Sequence, residues 1–104
     1  METKSKAQTF VGFAVRARKC KIGTNAAYTY KRADLVIVCR SASENTKLEA
    51  LKLARKFNCP LLETVSLTLE ELTHKENAKV MAVADKALAK AILDNSEKDF
   101  IARN

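Results

Sequence analysis

The ten residues Leu35-Val36-Ile37-Val38-Cys39-Arg40-Ser41-Ala42-Ser43-Glu44 decide the fold class. Their first half is an unbroken apolar run, β-branched at its middle, the pattern of a strand covered on both faces. Their second half contains Ser41-Ala42-Ser43-Glu44, and S-x-x-E is a capping box that opens a helix. A buried strand that turns straight into a capped helix predicts an α/β protein with helices on both sides of its sheet.

Downstream, the helix opened by that box carries Leu48, Leu51, Ala54 and Phe57 on one side, with Leu53 widening the stripe. It should end near Asn58, because Pro60 disfavours helical geometry at Cys59. Leu61 to Val65 reads as a second strand. Thr68-Leu69-Glu70-Glu71-Leu72 reads as a short helix with acids in its first turn, where the macrodipole favours them. Val80 to Ala84 is a third buried strand, after which Asp85 caps a helix with Ala87, Leu88, Ala91 and Ile92 inward. From Ser96 the chain is polar enough to fray, with Phe100 and Ile101 available to dock.

Upstream, Thr3 to Lys19 reads as a helix with Phe10, Phe13, Ala14 and Ala17 at helical spacing. Gly12 inside it implies a close helix contact, since glycine there otherwise costs stability. Gly23 breaks the pattern, and Thr24 or Asn25 is placed to cap a short helix reaching about Lys31. A short strand around residues 21–23 would bring the sheet to four. The expectation is an α-β-α sandwich with a four-stranded mixed sheet, a single domain over residues 1–95, and a polar tail over 96–104.

Charge narrows the partner. The net charge is +7, and residues 1–32 carry eight cations against Glu2 alone, so the rest of the chain is balanced. Clustered Lys and Arg of this kind fit a polyanion, whose condensed counterions they release. No run of about 18 apolar residues exists, and the N-terminus lacks a signal-like apolar region, so a cytoplasmic protein without membrane contact is expected. Cys20, Cys39 and Cys59 are odd in number and widely spaced, which points to free thiols rather than a disulfide framework or a metal site.

Catalytic signatures do not emerge. The strand-to-helix turns at Cys39–Ser43 and Ala84–Ala87 contain no glycine, which nucleotide-binding turns use for close phosphate approach. His74 stands in a charged loop without an orienting partner, and Cys59 has no histidine nearby in sequence. A non-enzymatic protein without cofactor or metal is the expectation.

Three segments together resemble the ribosomal protein L-seven-Ae and L-thirty-e family, with its small bacterial YlxQ-type members most similar. These are Val11–Lys19 leading to Gly23, Leu35–Thr46 with its "ASENTK" run, and "AKVMAVADKALAKAI" from Ala78 to Ile92. The resemblance covers about residues 8 to 95. It implies a monomeric, ribosome-associated protein that binds kink-turn RNA, a bent duplex with tandem sheared G·A pairs at its elbow. The family's G-x-N-E-x-x-x-K motif maps Gly23 and Asn25 onto matching positions, while Ala26 replaces its Glu and Thr29 stands at its Lys. Nearby Lys31 and Arg32 offer charge, although helical geometry does not point them as it points position 29. A second RNA-facing loop falls at His74–Ala78, which makes Lys75 and Asn77 candidates.

The expected RNA surface therefore comprises Gly23, Thr24, Asn25 and Thr29 in the turn, with Lys75 and Asn77 beside it. Arg16, Arg18, Lys19, Lys21, Lys31 and Arg32 supply phosphate contacts around it. Tyr28 and Tyr30 are candidates for base stacking. Two alternatives stay open: an assembly adaptor of the same fold with weakened base readout, and a relative of the substrate-recognition domain of an RNA-modifying enzyme.

Overall fold

A computed structural model describes residues 5–65, 67–96 and 99–103. In chain order the elements are α1 (Lys6–Arg16), β1 (Cys20–Ile22), α2 (Thr24–Tyr28), β2 (Leu35–Val38), α3 (Glu44–Phe57), β3 (Leu61–Thr64), α4 (Leu69–Thr73), β4 (Val80–Val83), α5 (Lys86–Asp94) and β5 (Phe100–Ala102). The sheet is mixed and ordered β1-β4-β2-β3-β5. β2 and β3 run parallel around α3, and the other three pairings are antiparallel.

The LVIV run is buried at every position, as is Val80–Val83 beside it. Strands buried on both faces need two covers. α1 packs with α4 and α5, while α2 and α3 pack together against β1 to β4. Leu35, Ile37, Leu53, Leu62, Leu69, Met81 and Ile92 are the large, fully enclosed side chains between these layers. Each contributes roughly 1.5–3 kcal/mol relative to exposure.

The sheet has five strands rather than four. The segment expected to be a polar tail supplies the fifth, with Phe100 opposite Thr64, Ile101 opposite Glu63 and Ala102 opposite Leu62. Phe100 is 4% exposed. The preceding Asp99 is buried and accepts hydrogen bonds from the Ser5 hydroxyl and the Gln8 carboxamide, which tie it to the start of α1. The domain boundary at residue 95 therefore falls inside the fold.

The expected helix stripes hold in part: Ala14, Leu53, Ala54 and Ile92 are enclosed, and Phe10, Leu51, Phe57 and Leu88 pack against the core. In α1 the enclosed residues are Ala7, Val11 and Ala14, while Phe13 and Ala17 are exposed. In α3 they are Ala50, Leu53 and Ala54, and Leu48 stands 56% exposed. In α5 they are Ala89 and Ile92, with Ala87 outside. Alanine lines the closest contacts between layers, so larger residues move to the flanks. Gly12 does not mark a helix contact: the atoms nearest a Cβ built there all belong to Arg16.

The caps hold the turns in place. Ser43, two residues later than the expected Ser41, caps α3 by accepting from the Thr46 amide at 3.2 Å. Asn58 then ends that helix in the left-handed region. Thr68 and Glu71 form a reciprocal capping box on α4. The buried Cys39 thiol joins β2 to α4, its sulfur accepting from the Leu69 amide at 3.2 Å. Burial pushes that thiol's pKa up, but hydrogen bonds from Ser41 and Leu69 outweigh burial and leave it lowered. Cys59 is pushed up to about 11 by burial and by the negative charge of Asp34.

Candidate nucleic-acid interface

β1 carries the chain into the turn that the motif marks. Gly23 continues the ladder by donating its amide to the Val80 carbonyl at 2.8 Å, and its own carbonyl accepts from the Ala27 amide. Its φ of 99° lies where L side chains are strained, and a Cβ there would meet nothing within 4 Å. Gly23 itself occupies the cap position of α2, without a side-chain cap. Thr24 and Asn25 are thus the first helical residues, not caps as expected. The Asn25 carboxamide is exposed, and its polar atoms make no hydrogen bond to the described residues.

The bond from Gly23 to Val80 brings the second predicted segment alongside. α4 ends at His74 in the left-handed region, and Asn77 adopts the same conformation at φ 59°. Asparagine tolerates this region better than most residues, which lets the loop turn without glycine. Glu70 latches the loop: its carboxylate accepts from the Asn77 amide at 3.0 Å and from the Lys79 ammonium at 2.7 Å. The Lys79 hydrogen bond, followed by that from Asn77, lowers the Glu70 pKa, and Glu70 in turn raises that of Lys79. Lys75 remains exposed at the rim.

Arg40 belongs to the same end of the sheet and was not singled out in the sequence. The Cys39 amide donates to the Lys79 carbonyl at 2.7 Å, and the Arg40 amide donates to Thr64 Oγ1 at 2.9 Å. Arg40 is exposed just beyond β2, next to the loop. Only the strand order puts it there, and that order was not readable from local pattern.

Position 29 is used internally. Thr29 Oγ1 donates to the Ala26 carbonyl at 2.6 Å and accepts a hydrogen bond from the Lys21 ammonium. The same ammonium lies 4.8 Å from the centre of the Tyr30 ring, a cation–π distance. Lys21 on the edge strand therefore places a positive charge beside position 29. Tyr28 is pinned to α3: its hydroxyl donates to Glu49 at 3.0 Å, Lys56 sits over its ring, and the Glu49 hydrogen bond raises its pKa.

The remaining predicted cations do not surround the turn. Arg16 folds back along α1, its guanidinium 5.0 Å from the Phe13 ring centre, into a cleft of about 120 Å³ shared with Leu67, Glu71 and His74. Arg18 and Lys19 precede β1, and the Lys19 carbonyl accepts from the Ala84 amide beyond the far end of β4. Arg32 reaches Asp34 at 3.8 Å, and the Asp34 amide donates to Val83, so Arg32 and its neighbour Lys31 also stand at that far end. The predicted surface thus splits. Gly23, Thr24, Asn25, Lys75 and Asn77 share one end of the sheet, Lys21 and Thr29 lie along its edge, and Arg18, Lys19, Lys31 and Arg32 share the other end.

Among the described residues, no helix is long and apolar enough to cross a membrane. Neither a family model nor a curated protein matches the chain. Among solved structures, a protein of unknown function from Bacillus halodurans C is similar over 91% of this chain and 100% of its own, with a TM-score of 0.75 and 21% identity. Likeness at that identity places the chain in a shared mixed α/β fold, and in no functional class.

Proposed function

We propose that this chain is a non-enzymatic RNA-binding module that takes kink-turn-like or related structured RNA against the Gly23 end of its sheet, in the cytoplasm and in association with the ribosome. One observation carries the reading. The Gly23–Val80 hydrogen bond joins two segments about fifty residues apart into one surface, with a bare α-carbon, an exposed carboxamide and the Lys75 ammonium on it. Those are complementary tools: glycine admits a backbone closely, Asn both donates and accepts at a purine edge, and Lys meets phosphate. The Lys21 ammonium beside Thr29 supports the reading further, because it restores charge where the resembling motif has Lys.

The test is a gel shift comparing a simple kink-turn with a straight duplex of equal length. Wild type should prefer the kink, and Asn25→Ala should erase roughly tenfold of that preference, within the range of one lost base-edge contact. Equal binding to both RNAs, or none, overturns the reading. The assembly-adaptor alternative draws on Thr29 and Ala26, whose polar groups close on each other rather than outward. It predicts no shift with either RNA.

A further inference from the structure

The far end of the sheet holds most of the molecule's uncompensated charge. Arg18, Lys19, Lys31, Arg32, Arg55 and Lys56 are all exposed there, with Lys86 opening α5 beside them. Against them stand Asp34 and Asp85, and Asp85 is already occupied in capping α5, accepting from the Leu88 amide at 2.9 Å. Among the described residues, Arg32 has the only ion pair of the set, at 3.8 Å and with its side chain 70% exposed.

Several contacts make these residues one surface. The Ala84 amide donates to Lys19, and the Asp34 amide donates to Val83, which lines up the ends of β1, β4 and β2. The charge of Asp34 acts on Cys59, which brings in the end of α3 with Arg55 and Lys56. From β1 to β3 the row spans three strand spacings, roughly 14 Å. Arg18 is held with φ at 57°, its amide donating to Val15 at 3.2 Å and that of Lys19 donating to Ala14 at 2.9 Å. That exit from α1 turns two consecutive cations into solvent.

We propose that this end is a second nucleic-acid face, which grips the phosphate backbone of an RNA duplex without reading its sequence. The choice of RNA as the polyanion rests on the reading given above for the Gly23 end. Three features of the surface favour a duplex over a lipid membrane. Arginines make up nearly half of the set, and their planar forks suit phosphate oxygens. A 14 Å row matches a rigid polymer carrying a charge about every 1.7 Å of its axis. Of the exposed apolar side chains, Phe13, Val65 and Ile101 lie on other elements, Leu48 stands about two turns before Arg55 on α3, and Tyr28 is held by Glu49 and Lys56, so no membrane anchor accompanies the charge. The two faces are about 10 Å apart along β1, so one bent RNA can place its elbow at Gly23 and an arm on the basic end.

The experiment measures Kd against KCl concentration for a mixed-sequence RNA duplex and for a kink-turn, by fluorescence anisotropy. The variant is Arg18→Gln, Lys19→Gln, Lys31→Gln and Arg55→Gln together. It should weaken both RNAs at least tenfold at moderate salt and flatten the slope of log K against log salt by about 3, at roughly 0.7–0.9 per phosphate contact. Its preference for the kink over the duplex should stay as in wild type. Wild-type affinity and slope in the variant overturn the proposal, as does wild-type binding to phosphatidylserine vesicles without binding to duplex. A variant that fails to melt like wild type is replaced by the pairs Arg18/Lys19 and Lys31/Arg55, each expected to remove about half of the slope change. The two readings fail separately. Loss of kink preference in wild type sinks the Gly23 reading, while the basic face stands if the neutralised variant still weakens duplex binding.

Discussion

Gly23 has a φ of 99° and open space where a side chain would begin, so its cost to replace is conformational rather than steric. Gly23→Ala should lower stability by about 1–3 kcal/mol, the penalty for a non-glycine residue in this region, read from a urea denaturation midpoint. A loss below a few tenths of a kcal/mol would show that the turn relaxes freely. The type of this residue was legible in the sequence, because a chain with two glycines spends one between two predicted elements. The role of Thr29 was not. Its hydroxyl is claimed by the Ala26 carbonyl and the Lys21 ammonium, and Lys21 arrives from a strand eight residues earlier. No helical-wheel argument connects those two positions.

Elements were read well where burial is two-sided and poorly where a helix presents a mixed face. LVIV and VMAV are strands because nothing in them suits water. The stripe of α3 was misread only at its start, because Leu48 outweighs Ala50 in any hydrophobic count. Yet the sheet accepts alanine at close approach and leaves the leucine outside. β5 was missed because three residues in a charged surround carry almost no periodic signal, and the partner of Phe100 lies 36 residues earlier at Thr64. Its weight in the fold is measurable. Phe100→Ala should cost about 3 kcal/mol or more, as for other buried aromatics. Ile101→Ser, at a position 46% exposed on the same strand, should cost less than about 1 kcal/mol. Equal small losses in thermal or chemical melts would mean that β5 adds nothing to the sheet.

For the molecule as a whole, charge placement matters more than charge count. The sequence showed that the excess lies in the first third of the chain, but β1 sends that third to both ends of the sheet. A body measuring 39 × 27 × 24 Å has most of its cations within one Debye length of each other at low salt, where that length is about 30 Å. Self-repulsion should then relax as salt is added. Stability measured by urea denaturation should rise between about 10 mM and 150 mM KCl, where the Debye length falls to about 8 Å. The variant neutralised at Arg18, Lys19, Lys31 and Arg55 should rise less. A wild-type stability that falls over this range would place the dominant charge effect in ion pairs such as Lys79–Glu70 instead.

The strand order also has a consequence in time. Among the described residues, no two strands adjacent in the sheet are joined by a hairpin, and β2–α3–β3 is the only neighbouring pair linked through one helix. β1 pairs with β4 alone, about sixty residues later in the chain. Until β4 has inserted between β1 and β2, the segment before Gly23 has no sheet to belong to. Contacts of such long sequence separation form late and slowly. The surface shared by Gly23 and Lys75 therefore comes into being only once β4 has paired with β1, and a chain lacking that pairing does not present it.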